Sequence, residues 1–340
     1  MSNFWRITLD TNPEDCNLSC TMCEEHSEHS DFMQRLYERT GIKRRRMSFD
    51  MVRNLMHQAK ELGIREVIPS TMGEPLLYKQ MDELFELAAK LGLKINLTTN
   101  GTFPKKSVEE WAAIIVPVTT DVKISWNGAT KATAESVMKK IDFDQAIENV
   151  RRFIAVRDEH FRKAGYYCRV TFQLTFMQNN MHELPDIIKL AASLGVDRVK
   201  GHHLWAHFKE IEQLSFKSSS ESIVTWNNIV EEAKRTAHDF RRGDGKQVLL
   251  ENIEPLNAQL GQEVPESHEC PFLGKELWVS ATGKISPCCA PDELRQALGD
   301  FGNVNDMPLR QAVESQQYRG LMADYKSRPL CRTCNMRKQP

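Results

Sequence analysis

Six short β-rich segments separated by helix-period runs fill the first 204 residues, and this alternation most restricts the folds open to the chain. WRITLDTN (5–12), EVIPS (66–70), KINLTTN (94–100), DVKISWN (121–127), RVTFQLTFM (169–177) and RVKGHHL (198–204) have the β-branched and aromatic content of strands. Between them, apolar residues recur at three and four over Met81 to Leu91 and over His182 to Leu194. Each run is followed by a glycine, Gly92 or Gly195, that suits a helix end. Strands alternating with helices pair in parallel through right-handed crossovers. The fold class is therefore α/β, either an open doubly wound sheet or a partial (β/α)6 TIM-like barrel.

After the sixth strand the pattern changes. A polar stretch, Ser215 to Ser222, leads into a helix over Ile223 to Phe240, a turn at 241–245 and a further strand, QVLLENI (247–253). From Pro255 the sequence is irregular and holds five of the nine cysteines. This predicts a main unit of residues 1–254 and a small irregular C-terminal unit of residues 255–340.

Composition excludes several classes. Hydrophobic residues make up 41% and charged residues 27%, as in ordinary globular chains. A net charge of -1 gives no general attraction to nucleic acid or to an anionic membrane. No apolar run is long enough to span a bilayer and the start, MSNFWRITLD, has no signal-peptide pattern, so a cytoplasmic location is expected. Nine cysteines cannot form a closed disulfide set, which makes metal ligation the first reading of them.

Cys16, Cys20 and Cys23 place three thiols within eight residues, directly after the first strand. On a TIM-like scaffold that loop lies at the C-terminal end of a strand, where active sites of this architecture sit. Zinc sites take four ligands, and this loop offers three thiols, so a cubane cluster with one open iron fits better; zinc with His26 or His29 as fourth ligand is the alternative. The C-x3-C-x2-C spacing after a first strand resembles the signature of the radical S-adenosylmethionine (SAM) superfamily. The resemblance covers roughly residues 5–205 and implies the partial (β/α)6 barrel. It also implies a 4Fe-4S cluster on Cys16, Cys20 and Cys23 that binds SAM. Reduction by a protein such as flavodoxin or ferredoxin then yields a 5′-deoxyadenosyl radical, while the protein binds, orients and excludes water.

Further segments are similar to family motifs. Met72-Gly73-Glu74-Pro75 resembles the Gly-Gly-Glu motif with Met72 at the first glycine, and Thr99-Asn100-Gly101 closes the third strand. Ser125-Trp126-Asn127-Gly128 resembles Ser-x-Asp-Gly, with Asn127 a neutral donor and acceptor in place of the acid. Met22 stands where an aromatic is usual beside the last cysteine, a polarizable substitute against adenine. Met22, Gly73, Glu74, Asn100, Ser125 and Asn127 are thus the SAM contacts that the resemblance implies.

Cys270, Cys288, Cys289, Cys331 and Cys334 form the second set. Four thiols on a small irregular unit suit zinc and iron-sulfur equally by ligand count. Their arrangement resembles the opening half of a SPASM domain, the shortened form called twitch. That likeness implies one auxiliary 4Fe-4S cluster on Cys270, Cys288, Cys331 and Cys334, two clusters in all, with Cys289 free or replacing Cys288. No cysteine follows Cys334 to build a third.

His202 and His203, at the end of the sixth strand, are the candidates for taking a substrate proton, since an unperturbed imidazole titrates near neutrality. Lys43-Arg44-Arg45-Arg46 reads as a solvated face, or else as a dock for an acidic protein such as flavodoxin, and Cys168 as a core thiol. The first functional reading is a small-molecule substrate, a sugar, aminocyclitol or nucleoside-like compound, undergoing dehydrogenation or epimerisation. It rests on likeness to twitch-domain dehydrogenases and on the fifteen residues before Cys16, too few for a leader-gripping domain. The alternative is radical modification of a ribosomal peptide or protein, giving an oxidised residue or crosslink. A zinc-binding interaction protein is the distant third.

Overall fold

The computed structural model describes residues 4–70, 72–256, 264–290, 292–334 and 336–339. The six expected strands are present as β1 (Arg6–Leu9), β2 (Glu66–Ile68), β3 (Lys94–Thr99), β4 (Thr119–Ser125), β5 (Arg169–Phe176) and β6 (Arg198–His203). Strand β4 starts two residues earlier than expected because the β3 register slips at Ile95 and Asn96, which draws Thr119 into the ladder. A seventh strand, β7 (Leu249–Glu251), pairs parallel with β6.

The sheet also crosses the expected boundary at 254/255. Strand β8 (Glu276–Val279) lies parallel to β1 on its free side, and β9 (Ile285–Ser286) turns back antiparallel to β8. The order is β9-β8-β1-β2-β3-β4-β5-β6-β7, and among the described residues no pairing joins β7 to β9. The architecture is an open, mostly parallel partial barrel extended at both edges.

Helix α1 (Phe32–Thr40) follows the first cysteine loop and borders Trp278 of β8. Helices cover the outer face: α2 (Phe49–Glu61), α3 (Met81–Leu91), α4 (Val108–Ile115), α5 (Lys131–Val137), α6 (Phe143–Ala164), α7 (Leu184–Leu194) and α8 (Ser220–Asp239). Gly92 and Gly195 end α3 and α7 in the left-handed conformation, as expected. The α8 helix begins three residues before its apolar stripe, because Ser219 and Ser222 form a reciprocal cap. Alternate strand residues, Ile7, Leu9, Val67, Ile95, Leu97, Val122, Ile124, Val170, Phe172 and Val199, are fully buried beneath these helices.

The inner face is polar. Arg6 donates to Glu66 at 2.6 Å and to Glu276 at 2.8 Å, and Asn96 donates to Glu66 at 3.1 Å. Arg198 pairs with Asp121 and Glu251, and Lys200 donates to Glu251 at 2.7 Å. TIM barrels usually fill this space with branched apolar side chains. Here ion pairs between strands span the lower lumen instead. The Arg6–Glu276 pair joins the C-terminal unit to the barrel from inside.

Candidate active site

The loop after β1 carries the first cysteine set. Cys20 lies in a two-residue ribbon, Ser19–Cys20, paired antiparallel with Met138–Lys139, and the amide of Thr21 donates to Val137 at 2.9 Å. Cys16 and Cys23 flank this ribbon, and all three thiols are half-buried. The amide of Leu18 points at Cys16 Sγ (3.5 Å) and that of His26 at Cys23 Sγ (3.4 Å), with Asn100 Nδ2 3.9 Å from Cys16 Sγ. Burial pushes all three thiols up, Cys23 to about 12; neighbouring cysteines add to the effect at Cys20 and Cys23, and Glu74 adds to it at Cys16. Such groups are poor free thiolates and ionise when a cation takes the place of the proton.

This donor set fits an iron-sulfur cluster. Among the described residues, no three His, Cys, Asp or Glu side chains converge to hold a single metal ion. Zinc needs each sulfur about 2.3 Å from one centre, whereas a cluster spreads its ligands over separate irons. The histidines of the zinc alternative are engaged elsewhere. His26 Nε2 meets the carbonyl of Pro13 at 3.0 Å, and the His29 ring packs 6.2 Å from that of Phe208.

The segment after β2 is built against this loop. Gly73 has φ +70°, and a Cβ there would stand 2.6 to 2.8 Å from the carbonyl oxygens of Asn12, Pro13 and Asp15, so only glycine fits. The amide of Glu74 donates to Asp15 at 2.7 Å, and Asn12 Nδ2 donates to the Glu74 carbonyl at 2.9 Å. The buried Glu74 carboxylate accepts from Leu76 N (3.1 Å), Thr99 Oγ1 (2.8 Å) and Asn100 N (2.7 Å), while desolvation raises its pKa to about 7. Its carboxylate thus bolts the β2 and β3 loops together. Asn100 Nδ2 donates to Asn17 Oδ1 at 2.8 Å, which ties the β3 loop to the cluster loop in turn.

Met22 is half-buried against the core, and Ser125 is half-buried at the end of β4. Asn127 is buried, and its Oδ1 accepts from Thr175 N at 2.9 Å, so its carbonyl oxygen is directed at the β5 backbone. The structure therefore gathers Gly73, Glu74 and Asn100 around Cys16, and sets Ser125 and Asn127 across the barrel mouth.

The basic run is not simply a solvated face. Arg45 is nearly buried: its amide and guanidinium each donate to Glu14 at 2.5 Å, and the guanidinium lies 3.4 Å from Glu25. Arg46 forms a two-pronged pair with Asp15 at 2.8 and 3.0 Å. Both arginines clamp the acidic residues that border the cysteines.

The two candidate histidines part company. His202 is exposed on the lumen face beside Gln173 Nε2 (3.4 Å to Nδ1), where partial desolvation and the nearby Lys200 lower its pKa. An imidazole so poised is neutral at pH 7 and a weak proton acceptor. His203, one residue on, points to the opposite face, as strand alternation requires. It packs edge-on against Phe176 and Trp226 at 5.4 and 4.9 Å, and its buried Nδ1 has no partner. His203, the other catalytic candidate, thus stands half-buried on an aromatic cluster, with its pKa lowered by burial to about 3. Because both imidazoles stay neutral in the fold while unfolded histidine charges near 6.5, stability falls as pH drops below that value. His203→Phe is expected to flatten the fall in thermal midpoint between pH 7 and 5 and to leave turnover within about twofold, since it removes an unsatisfied polar atom. A large loss of activity would show that His203 has a role beyond packing.

Lys123 was not legible as a candidate, yet it stands in the same lumen. It has no hydrogen bond or ion pair among the described residues, and burial with Lys200 nearby lowers its pKa to about 8. The alternation D-V-K-I-S in β4 carried the signal, since a strand buried on both faces reads as a continuous apolar run.

The second cysteine set also converges. Cys270, Cys288, Cys331 and Cys334 act on one another electrostatically, and amides of Leu273 and Ala290 point at Cys270 Sγ (3.3 Å) and Cys288 Sγ (3.4 Å). Cys289 shares a hydrogen bond with Cys288, which holds the Cys288 thiol below its usual range. Cys168 is fully buried in the core.

The Radical SAM superfamily model matches residues 13–191, and the SPASM iron-sulfur cluster-binding domain model matches residues 270–335. Similar proteins include the PqqA peptide cyclase of Rhodopseudomonas palustris, 28% identical over 323 residues, covering 90% of this chain and 73% of that protein. The PqqA peptide cyclase of Gluconobacter oxydans is 23% identical over 331 residues, covering 95% and 81%. Streptococcus suis SuiB bound to S-adenosylmethionine shares the fold with a TM-score of 0.69 at 16% identity, covering 98% of this chain and 72% of that one. SuiB bound to its precursor peptide SuiA gives 0.64 at 16% identity, covering 94% and 67%.

These findings correct the first substrate expectation of a sugar, aminocyclitol or nucleoside-like molecule. Proteins that align over 90% and 95% of the chain are named for cyclising a peptide, and a fold neighbour was solved with a precursor peptide. A count of residues ahead of Cys16 bears on how a peptide is gripped and not on what enters the lumen. No helix among the described residues is long and apolar enough to cross a membrane. With the superfamily model matching over half of its 340 residues, the chain belongs to the radical S-adenosylmethionine superfamily, in its SPASM/twitch branch, and works with S-adenosylmethionine and 4Fe-4S clusters.

Proposed function

We propose that this chain is a radical enzyme that modifies a peptide, forming a crosslink or an oxidised residue at the mouth of the barrel. The observation that carries the reading is the alignment, over 95% and 90% of the chain, with proteins named PqqA peptide cyclase. Cys16, Cys20 and Cys23 would hold the cluster that binds SAM, and Cys270, Cys288, Cys331 and Cys334 the auxiliary one. When bound, these cofactors supply a 5′-deoxyadenosyl radical able to take a hydrogen atom from an unactivated carbon.

The chain's own residues do the rest. Backbone amides of Leu18, His26, Leu273 and Ala290 point at four of the cysteine sulfurs and so stabilise thiolate charge. Gly73, Asn100, Ser125 and Asn127 border the SAM site with Met22, and Glu74 positions the β3 loop there. In the lumen, neutral His202 hydrogen-bonds the incoming residue, and Lys123, titrating near working pH, is the better-matched group to exchange a proton with it. A flavodoxin or ferredoxin reduces the enzyme, and a reducing cytoplasm keeps the nine cysteines unbridged, as they are here, and open to cluster ligation.

The test is anaerobic incubation of cluster-reconstituted protein with SAM, dithionite and precursor peptides encoded near its gene, read by mass spectrometry. A peptide that loses two hydrogens together with 5′-deoxyadenosine release is the expected result. Turnover of a sugar or nucleoside with every peptide unchanged would sink the reading.

A further inference from the structure

Beside the cluster loop, on the outer side of the barrel rim, lies a cleft of about 580 Å³ with Cys16 among its lining residues. Arg44, Arg46, Lys79 and Lys105 border it, contributed by three separate segments: the basic run, the loop after β2 and the loop after β3. Lys79 and Lys105 are exposed, and the side chains of Arg44 and Arg46 are 61% and 56% exposed. Two acids, Glu14 and Asp15, line it as well, and Lys105 Nζ donates to the Leu77 carbonyl at 2.6 Å. Glu14 is buried under Arg45, and Asp15, 10% exposed, is held by Arg46 and lies 3.5 Å from Arg44. The surface is thus cationic even though the chain as a whole carries a net charge of -1, so the patch is a local arrangement and not a sample of a basic protein. None of the lumen residues Lys123, Gln173, Lys200 and His202 lines this cleft, so it is not the way into the lumen.

We propose that this cleft is the docking surface for an acidic one-electron carrier protein of the flavodoxin type. The proposal rests on the reading that an external donor feeds the cluster on Cys16, Cys20 and Cys23. Electron tunnelling falls steeply with distance, and of these three cysteines Cys16 is the one that meets this cationic surface. Four exposed cations around a cluster ligand match the acidic face that surrounds the cofactor of such a carrier, and complementary rim charges speed encounter and fix orientation more than they add affinity. A small reductant such as dithionite needs no such surface.

The experiment compares wild type with Arg44→Glu/Lys79→Glu in the reconstituted holoprotein, with iron content measured in both. Neither residue belongs to the cluster loop or the lumen, and the milder Arg44→Gln/Lys79→Gln pair guards against misfolding. Two readouts are taken: calorimetric binding of flavodoxin at low and high salt, and 5′-deoxyadenosine formation driven by flavodoxin or by dithionite. Expected are about a tenfold loss of flavodoxin binding, loss of its salt dependence, and a parallel fall in the flavodoxin-driven rate, with the dithionite-driven rate within about twofold. Unchanged flavodoxin binding in the reversed pair would overturn the proposal. So would an equal fall with both donors, which would make these residues supports of the cluster loop. Binding of an acidic peptide but not of flavodoxin would give the cleft to the substrate and overturn it as well. Wild type inactive with dithionite would instead defeat the radical reading, and the binding titration would still decide whether flavodoxin docks here.

Discussion

Replacing Cys16, Cys20 and Cys23 together by alanine is expected to lower 5′-deoxyadenosine formation by a thousandfold or more, roughly 4 kcal/mol on the reaction barrier. The three thiols stand on one loop, their sulfurs are met by the amides of Leu18 and His26, and no other cysteine of the β1 loop can replace them. The variant should keep its fold, because Cys16 and Cys20 are only partly buried at the margin of the core and alanine retains the Cβ contact. Circular dichroism and iron content therefore separate loss of the cluster from loss of the protein. A matched Cys331→Ala/Cys334→Ala variant should still form 5′-deoxyadenosine. Formation at the wild-type rate by the triple variant would remove the radical chemistry from this loop.

Arg45→Met is the second large expected effect. It leaves the Glu14 and Glu25 carboxylates, 0% and 3% exposed, without their guanidinium, and breaking such a buried pair costs about 3–5 kcal/mol. Burial already holds the Glu25 pKa well above its usual range, with Arg45 the main opposing influence, so the variant should bind a proton on that side chain and loosen the loop that holds Cys16 to Cys23. Urea denaturation should show a midpoint shift of that size with little change in slope, and reconstituted iron should fall toward one cluster per chain. A stability change below about 1 kcal/mol with full iron loading would show that the clamp is not needed. Arg44→Met at the exposed neighbour serves as the control.

Strand and helix periods in the chain already specified α/β architecture, six parallel strands in order, and a cysteine loop at the end of the first. Those features are local, because side-chain alternation, capping glycines and ligand spacing are encoded within a few residues of one another. The two cysteine sets were legible for the same reason. The division of roles within a motif was not. Glu74 carries the residue type expected at a cofactor, yet its carboxylate is spent on Thr99, Leu76 and Asn100, and no spacing in the sequence reveals that.

Other features depend on distant segments meeting. His202 and His203 are equivalent as neighbours in a sequence, and only the curl of the sheet puts one in the lumen and the other against Trp226. The basic run 43–46 reads as a surface stretch until the fold lays it beside Glu14, Asp15 and Glu25. Strand β8 lies some 270 residues from β1, and nothing local announces that Glu276 will complete the Arg6 ion pair. The sequence by itself determined the six barrel strands and the two sets of cysteine ligands, because short-range periodicity and ligand spacing are enough for both. Only the tertiary structure decided which polar groups face one another inside the barrel, because burial and charge pairing belong to residues joined in space and not along the chain.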